Sequence, residues 1–480
     1  MILKVQAVIW NLLPRNPFAR GVSVLVGGTV GAQLLLLLAS PLLTRLYTPD
    51  DFGLLAVYGS LLAIIGVVGS LRYELAIPLA KNDQEAVNLL VLCLVLLIIA
   101  SLLTTVLVFL LGKQITSLLG VPEIADYFWL LPVGVLICGT YQVFSYWGIR
   151  KRQFRAISTT KLKQALATLL IQLLASKLGV GALLFGQVAG HGVGATTLFL
   201  PVIMKNEFRK TDWTGICYGL SRYKRFPLFT TWAGLLNTGG TQLPPVLITA
   251  FFGATATGLY ALAHRALSIP IALIGDALQG VFFSDAAEAH RNNKLGQKVE
   301  KLLDVLVQVA LPSAIILVIV SPDLFANFFG KKWREAGVMA QYLIPWLVMQ
   351  FCVGPLTLVN AVTENQKLGL YMQMQLFIVR ITTIVFGSFY GDILKTIFFF
   401  SLGSVISYFA FLWSILSISG LSIMVFFKAI ARGAFFGGII ALPTVFYHYF
   451  FDGIIALVGL SAATLLLVGA RYHAYVRRGI

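Results

Sequence analysis

Charge is scarce in this chain: Lys, Arg, Asp and Glu supply 11% of 480 residues, while 58% are hydrophobic. With mean hydropathy of +0.87, apolar runs rather than the usual soluble-domain length rule set the architecture. Cysteine is equally sparse. Cys93, Cys138, Cys217 and Cys352 are scattered, mostly inside apolar runs, and no pair has redox or metal-ligand spacing. They read as small buried apolar residues. No G-x-x-x-x-G-K-[ST] loop occurs, which excludes ATP hydrolysis by that route, and neither H-E-x-x-H nor G-x-S-x-G is present. No metal or other cofactor is expected. A cleavable signal is not evident either, since Lys4, Arg15 and Arg20 lead directly into a full-length apolar run.

What the chain has instead is twelve to fourteen apolar runs of roughly twenty residues, the length that spans a bilayer as a helix. Helices satisfy their own backbone groups in lipid, so the fold class is all-α and polytopic. We read about 14 spans, at 21–46, 52–79, 86–111, 124–149, 157–177, 180–204, 227–252, 257–284, 300–320, 336–361, 367–390, 394–418, 430–450 and 453–471. An even number places both termini on one side. Of 36 Lys and Arg residues, 26 fall on the terminus side, 7 in the opposite loops, and Arg72, Arg265 and Arg380 inside spans. That bias puts the termini in the cytoplasm.

The formal net charge of +17 therefore speaks of topology and anionic membrane lipids, not of nucleic acid. Two loops dominate it. One is Arg150-Lys151-Arg152-Gln153-Phe154-Arg155; the other, about 205–226, carries Lys205, Arg209, Lys210, Arg222, Lys224 and Arg225. Both anchor topology, and both could dock lipid headgroups or a cytoplasmic partner. The second splits the chain into residues 1–210 and 211–419, two pseudo-symmetric six-helix lobes, with 420–480 supplying two further helices. A repeat supports the division. Residues 43–47 and 52–56 match 248–252 and 257–261 at a constant offset. Parallel repeats of this kind place a substrate site between the halves and work by rocking.

Ionisable groups at membrane depth cost about 2.5–3.5 kcal/mol on insertion scales, so they usually face a cavity or a partner. On span eight Arg265 and Asp276 share a face but stand roughly 16 Å apart by the 1.5 Å rise, too far to pair. Pro270 between them kinks the span, and His264 adds a titratable neighbour. Arg380 shares a face with Gln373 on span eleven. Arg72 lies near the cytoplasmic end of span two, where either a cavity or snorkelling to the interface would account for it. Two residues turn a helix by about 200°, so Glu74 should point away from Arg72. Asn237 on span seven and Gln33 on span one are substrate contacts or interhelical glue. The stripes Gly27-Gly28-Gly31 and Gly433-Gly437-Gly438 need only close helix packing. Buried guanidinium groups suit an anionic ligand, because they match phosphate oxygens bidentately and low dielectric strengthens the contact. The candidate substrate contacts are Arg72, His264, Arg265, Arg380, Gln33, Asn237 and Gln373, with Asp276, Glu74 or His264 available for ion coupling. Moving one charge through 100 mV is worth about 2.3 kcal/mol.

Several stretches resemble a known family. Arg72-Tyr73-Glu74-Leu75-Ala76-Ile77 with Asn82-Asp83-Gln84-Glu85-Ala86, Tyr223-Lys224-Arg225-Phe226-Pro227 with Asn237 and Gln242-Leu243-Pro244, Gly258-Leu259-Tyr260-Ala261-Leu262, Val281 to Glu288, and Phe329 to Gly337 with Pro345-Trp346 are similar to bacterial oligosaccharide (O-antigen type) flippases. The resemblance covers about residues 20 to 420. It implies the polysaccharide-exporter branch of the multidrug/oligosaccharidyl-lipid/polysaccharide superfamily, with MATE-like lobes around a central cavity. It also implies an undecaprenyl-diphosphate-linked oligosaccharide as substrate, the bacterial inner membrane as location, and a polysaccharide polymerase and chain-length regulator as partners. In fourteen-span relatives the last pair lines a groove for the lipid tail. An enzyme is not expected, since membrane polymerases and ligases would expose a large outer loop and these outer loops are short. A lipid II flippase, a cation-coupled drug exporter and a membrane-embedded polymerase are the alternatives.

Overall fold

The computed structural model describes residues 17–205 and 207–450. Helices joined by short turns make up these residues, with no strand among them. In chain order the long elements are α1 (Pro17–Leu46), α2 (Pro49–Gly69), α3 (Asp83–Leu118), α4 (Leu130–Arg150), α5 (Phe154–Leu174), α6 (Val180–Met204) and α7 (Trp213–Arg222). After these come α8 (Thr231–Arg291), α9 (Leu295–Phe328), α10 (Arg334–Val353), α11 (Gln366–Ser388), α12 (Ile393–Ile418) and α13 (Met424–Phe450). Among the described residues ten segments are long and apolar enough to cross a bilayer. The expected span at 453–471 lies outside the described residues, as do both termini.

Local chemistry explains the helix starts. Thr48 and Asp51 form a reciprocal capping box on α2, with Pro49 in the first turn. The side chains of Asn82, Asp212 and Asp392 accept backbone N–H groups at the starts of α3, α7 and α12. Within α8, Gly253 adopts φ 82° and ψ 176°, a conformation open to glycine and costly for other residues. It separates spans seven and eight where the sequence separates them.

Two expectations are corrected. Span two ends as an α-helix at Gly69, ten residues early, and a 3-10 helix Tyr73–Leu79 follows. Leu71 (φ 50°) and Arg72 (φ 63°) are left-handed, which ends the α-helix there. The 205–226 connector is not a plain loop either, since it contains α7.

The chain divides into two compact units, Met1–Thr255 and Ala256–Ile480. In the first, α1 packs on α5, α4 on α3, and α6 on α4 and α5. Gly28 makes room for Ser158, and Gly31 for Leu162. Asp50 accepts a hydrogen bond from Thr255 at 2.6 Å, so two positions related by the 205-residue offset meet. A Cβ on Gly53 would strike the Ala254 carbonyl. In the second unit α9 packs against α10 and α13, and α11 against α12. Gly433 and Gly437 admit Val307, Leu311 and Pro312, and Arg432 pairs with Asp304 at 3.0 Å. A Cβ on Gly27 or Gly438, by contrast, would meet no other element within 4 Å among the described residues. Buried leucine, isoleucine and phenylalanine fill both interiors, while Leu102, Leu103, Phe109 and Leu110 of α3 stay uncovered, as a lipid-facing surface would be.

Candidate functional site

In the first unit the polar cluster is built on the turn that ends α2. With Arg72 left-handed, the helical 200° argument no longer holds. Arg72 Nη1 comes 3.7 Å from Glu74 Oε1, contrary to the expectation that Glu74 points elsewhere. Glu74 is buried. Ser70 Oγ donates to its Oε2 and Gln142 Nε2 to its Oε1 at 3.0 Å. Burial pushes its carboxyl above the usual carboxylate range, against the opposing pull of Ser70, its own backbone, Arg72 and Gln142. On α8, Gly234 leaves the space that the guanidinium uses, because a Cβ there would lie 2.8 Å from Arg72 Nη2. Arg72 Nε is buried and has no hydrogen-bond partner among the described residues. Arg72 thus neutralises one carboxylate and still has donor capacity, since guanidinium carries five N–H groups.

In the second unit, an aromatic column holds the other cation. The ring of His264 stacks on Tyr260 at 5.8 Å and on Trp346 at 5.5 Å, both nearly parallel. Arg380, 6% exposed, sets its Cζ 5.2 Å from the Trp346 ring centre and donates to the Tyr408 hydroxyl at 3.4 Å. Cation–π attraction in a desolvated site reaches about 2 kcal/mol. Phe400 meets Trp346 edge-on at 4.9 Å. The structure therefore brings His264 and Arg380 together through Trp346. Arg265, next along α8, is half-buried and makes no side-chain hydrogen bond or ion pair among the described residues.

The remaining candidates are dispersed. Gln33, Asn237 and Gln373 are exposed and make no side-chain hydrogen bond among the described residues. The side chain of Asp276 lies outside the described residues. Trp346, Tyr408, Gln142 and Ser70 had no signal as site residues in the sequence, because aromatic, amide and hydroxyl side chains at separate places in the chain acquire roles only through contact. Among the described residues no group of three or more His, Cys, Asp or Glu side chains is placed to hold a metal ion. Cys93 and Cys352 are buried as expected, but Cys217 is exposed on α7.

Long apolar helices, ten of them of membrane-crossing length and hydropathy among the described residues, make up a polytopic, transporter-like helical fold. The structure superposes on the lipid II flippase MurJ in its inward closed conformation with a TM-score of 0.72, at 13% identity, covering 94% of this chain and 99% of that one. A MATE transporter of Vibrio cholerae, VcmN, gives 0.56 at 14% identity, covering 86% and 98%. At such identities the likeness concerns fold alone. Family membership comes from sequence: residues 42–338 match the model described as "Polysaccharide biosynthesis protein", and the chain belongs to that family. It is 23% identical to the teichuronic acid biosynthesis protein TuaB of Bacillus subtilis (strain 168) over 215 residues, 45% of this chain and 44% of the relative. It is 22% identical to the succinoglycan biosynthesis transport protein ExoT of Rhizobium meliloti (strain 1021) over 325 residues, 64% of this chain and 61% of the relative. The match thus spans less than two thirds of either relative's length.

Proposed function

We propose that this protein is a flippase that moves an undecaprenyl-diphosphate-linked oligosaccharide across the bacterial inner membrane by alternating access, for assembly of a surface polysaccharide such as O-antigen, capsule or exopolysaccharide. The observation that carries this reading is Arg265, a half-buried guanidinium inside a membrane span with no counter-ion among the described residues. A bare cation at depth is costly, and a diphosphate arriving with the substrate would offset that cost while accepting bidentate hydrogen bonds. Arg72 and Arg380 are the second and third contacts in this reading, with His264 beside Arg380 and with Gln33, Asn237 and Gln373 available to sugar hydroxyls. Asp276 and Glu74 are the coupling candidates. The family, and relatives named for teichuronic acid and succinoglycan biosynthesis, support a glycan cargo. The proposed orientation has both termini in the cytoplasm, and the proposed partners are a polysaccharide polymerase and a chain-length regulator. Flipping makes and breaks no bond, so the reading is of a transporter and not of an enzyme.

The test is the purified chain in vesicles holding a fluorescent diphosphate-linked oligosaccharide, with a quencher added outside. Protein should speed loss of the protected fraction, and Arg265→Ala should return it to the protein-free rate. A wild-type rate equal to that of empty vesicles sinks the proposal. A second reading, lipid II as cargo, is compatible with the fold shared with MurJ. Deletion of the gene separates the two: cell death points to lipid II, and loss of a surface glycan from viable cells points to the first reading.

A further inference from the structure

The connector between α6 and α8 is built for a surface that the transport reading does not use. Helix α7 presents three distinct faces. Ile216 and Gly219, three apart, are buried, and a Cβ on Gly219 would lie 3.1 Å from Leu89 of α3. Trp213, Cys217 and Leu220 share a second face at helical spacing. Trp213 is 72% and Leu220 47% exposed, and Cys217 is exposed too. Thr214, Tyr218 and Ser221 form the third, polar face. Exposed Lys205 and Arg209 precede the helix, and exposed Lys224 and Arg225 follow it. Beyond them Leu228, Phe229 and Trp232 lie uncovered at the start of the next span.

The helix is also fastened in place. Arg222 Nε pairs with Glu85 at 3.4 Å and its Nη1 donates to Tyr218 at 2.7 Å. Tyr223 donates to Glu85 at 3.3 Å. Asp212 N–H donates to Asn88 at 3.0 Å, and Tyr73 donates to the Leu220 carbonyl at 2.9 Å. Both ends of the connector run into membrane spans. A helix held there with one uncovered apolar face, flanked by four exposed cations, matches the interface of an anionic leaflet, where apolar side chains sink beneath the headgroups and bases meet phosphate.

We propose that α7 is an interfacial element that inserts Trp213, Cys217 and Leu220 into the cytoplasmic leaflet and recruits anionic phospholipid through Lys205, Arg209, Lys224 and Arg225. Its occupant is lipid, not protein. Through the Tyr73–Leu220 hydrogen bond, the same helix is tied to the residue between Arg72 and Glu74, so the leaflet braces that turn.

The experiment uses the full chain in vesicles, spin-labelled at Cys217, with Cys93, Cys138 and Cys352 replaced by alanine; the same label on the otherwise wild-type chain guards against a background that fails to fold. In phosphatidylcholine vesicles containing phosphatidylglycerol, the Cys217 label should sit roughly 5–10 Å below the headgroup boundary, reached by oxygen and shielded from a water-soluble nickel chelate. A label at Thr214→Cys, with Cys217→Ser, should show the reverse. Removing phosphatidylglycerol, or combining Lys224→Ala with Arg225→Ala, should move the Cys217 label toward water. Equal chelate access at 214 and 217 overturns insertion, and an unchanged depth without anionic lipid overturns the choice of ligand. Neither outcome depends on whether the chain flips a glycan.

Discussion

Removing the Arg72 guanidinium asks whether it supports the fold, holds the substrate, or does both. At 3.7 Å and an effective dielectric of about 20, opposite unit charges attract by about 4 kcal/mol. The Arg72 side chain is 21% exposed and that of Glu74 2%. Water screens the arginine's share, so Arg72→Ala should destabilise by about 2 kcal/mol, chiefly by leaving the carboxylate buried without its cation. Adding Glu74→Gln removes that charge, and an amide keeps hydrogen-bonding capacity toward Ser70 and Gln142. The double variant should recover most of the lost unfolding midpoint, measured in detergent by following release of buried tryptophan. It should not recover transport in vesicles, since the guanidinium proposed to meet the diphosphate is still absent. A double variant as unstable as Arg72→Ala would refute the compensation argument. One that transports at the wild-type rate would refute the substrate role.

Three further expectations follow from the same geometry. Because burial raises the Glu74 carboxyl, the folded state holds that proton more tightly than the unfolded one; the stability it contributes is complete below the unfolded value and is lost as pH rises through the folded one. Each unit of difference is worth about 1.4 kcal/mol, and Glu74→Gln should flatten this part of the midpoint-against-pH curve; identical slopes would show that Glu74 is not the group responsible. Arg265→Ala and Arg380→Ala should both abolish glycan export, but membrane abundance should fall only for Arg380→Ala, which forfeits about 1–2 kcal/mol of contact with Trp346; immunoblots showing equal loss for both would assign Arg265 to packing. Gly53→Ala should destabilise by about 1–3 kcal/mol of overpacking against the Ala254 carbonyl, less about 1 kcal/mol gained in helix propensity, and an unfolding midpoint above wild type would show that the close approach carries no weight.

How much was legible in advance varied with the range of the interaction. The all-helical, many-span character followed from run length, because backbone groups in lipid must be satisfied within helices. Ten segments among the described residues meet that length and hydropathy, and the break at Gly253 falls between two runs the sequence separates. Capping at Thr48, Asn82 and Asp392 is likewise local. In the glycine stripes Gly28, Gly31, Gly433 and Gly437 receive a neighbouring helix, whereas Gly27 and Gly438 receive none among the described residues. The Arg72–Glu74 relation was misread because a helical wheel assumes an unbroken helix, and two left-handed residues undo it. The column of Tyr260, His264, Trp346 and Arg380 draws on three helices with no shared sequence pattern.

The sequence by itself determined that the chain is a set of apolar helices of membrane-crossing length with arginines in or beside them, because hydropathy and charge act residue by residue along the chain. Only the tertiary structure decided what each arginine meets: a carboxylate for Arg72, a tryptophan face for Arg380, and no described side chain for Arg265. For Arg72 the cause is a left-handed turn that a helical wheel does not foresee; for Arg380 it is contact between different helices, where electrostatics depends on distance in space and on burial, neither of which a linear pattern encodes.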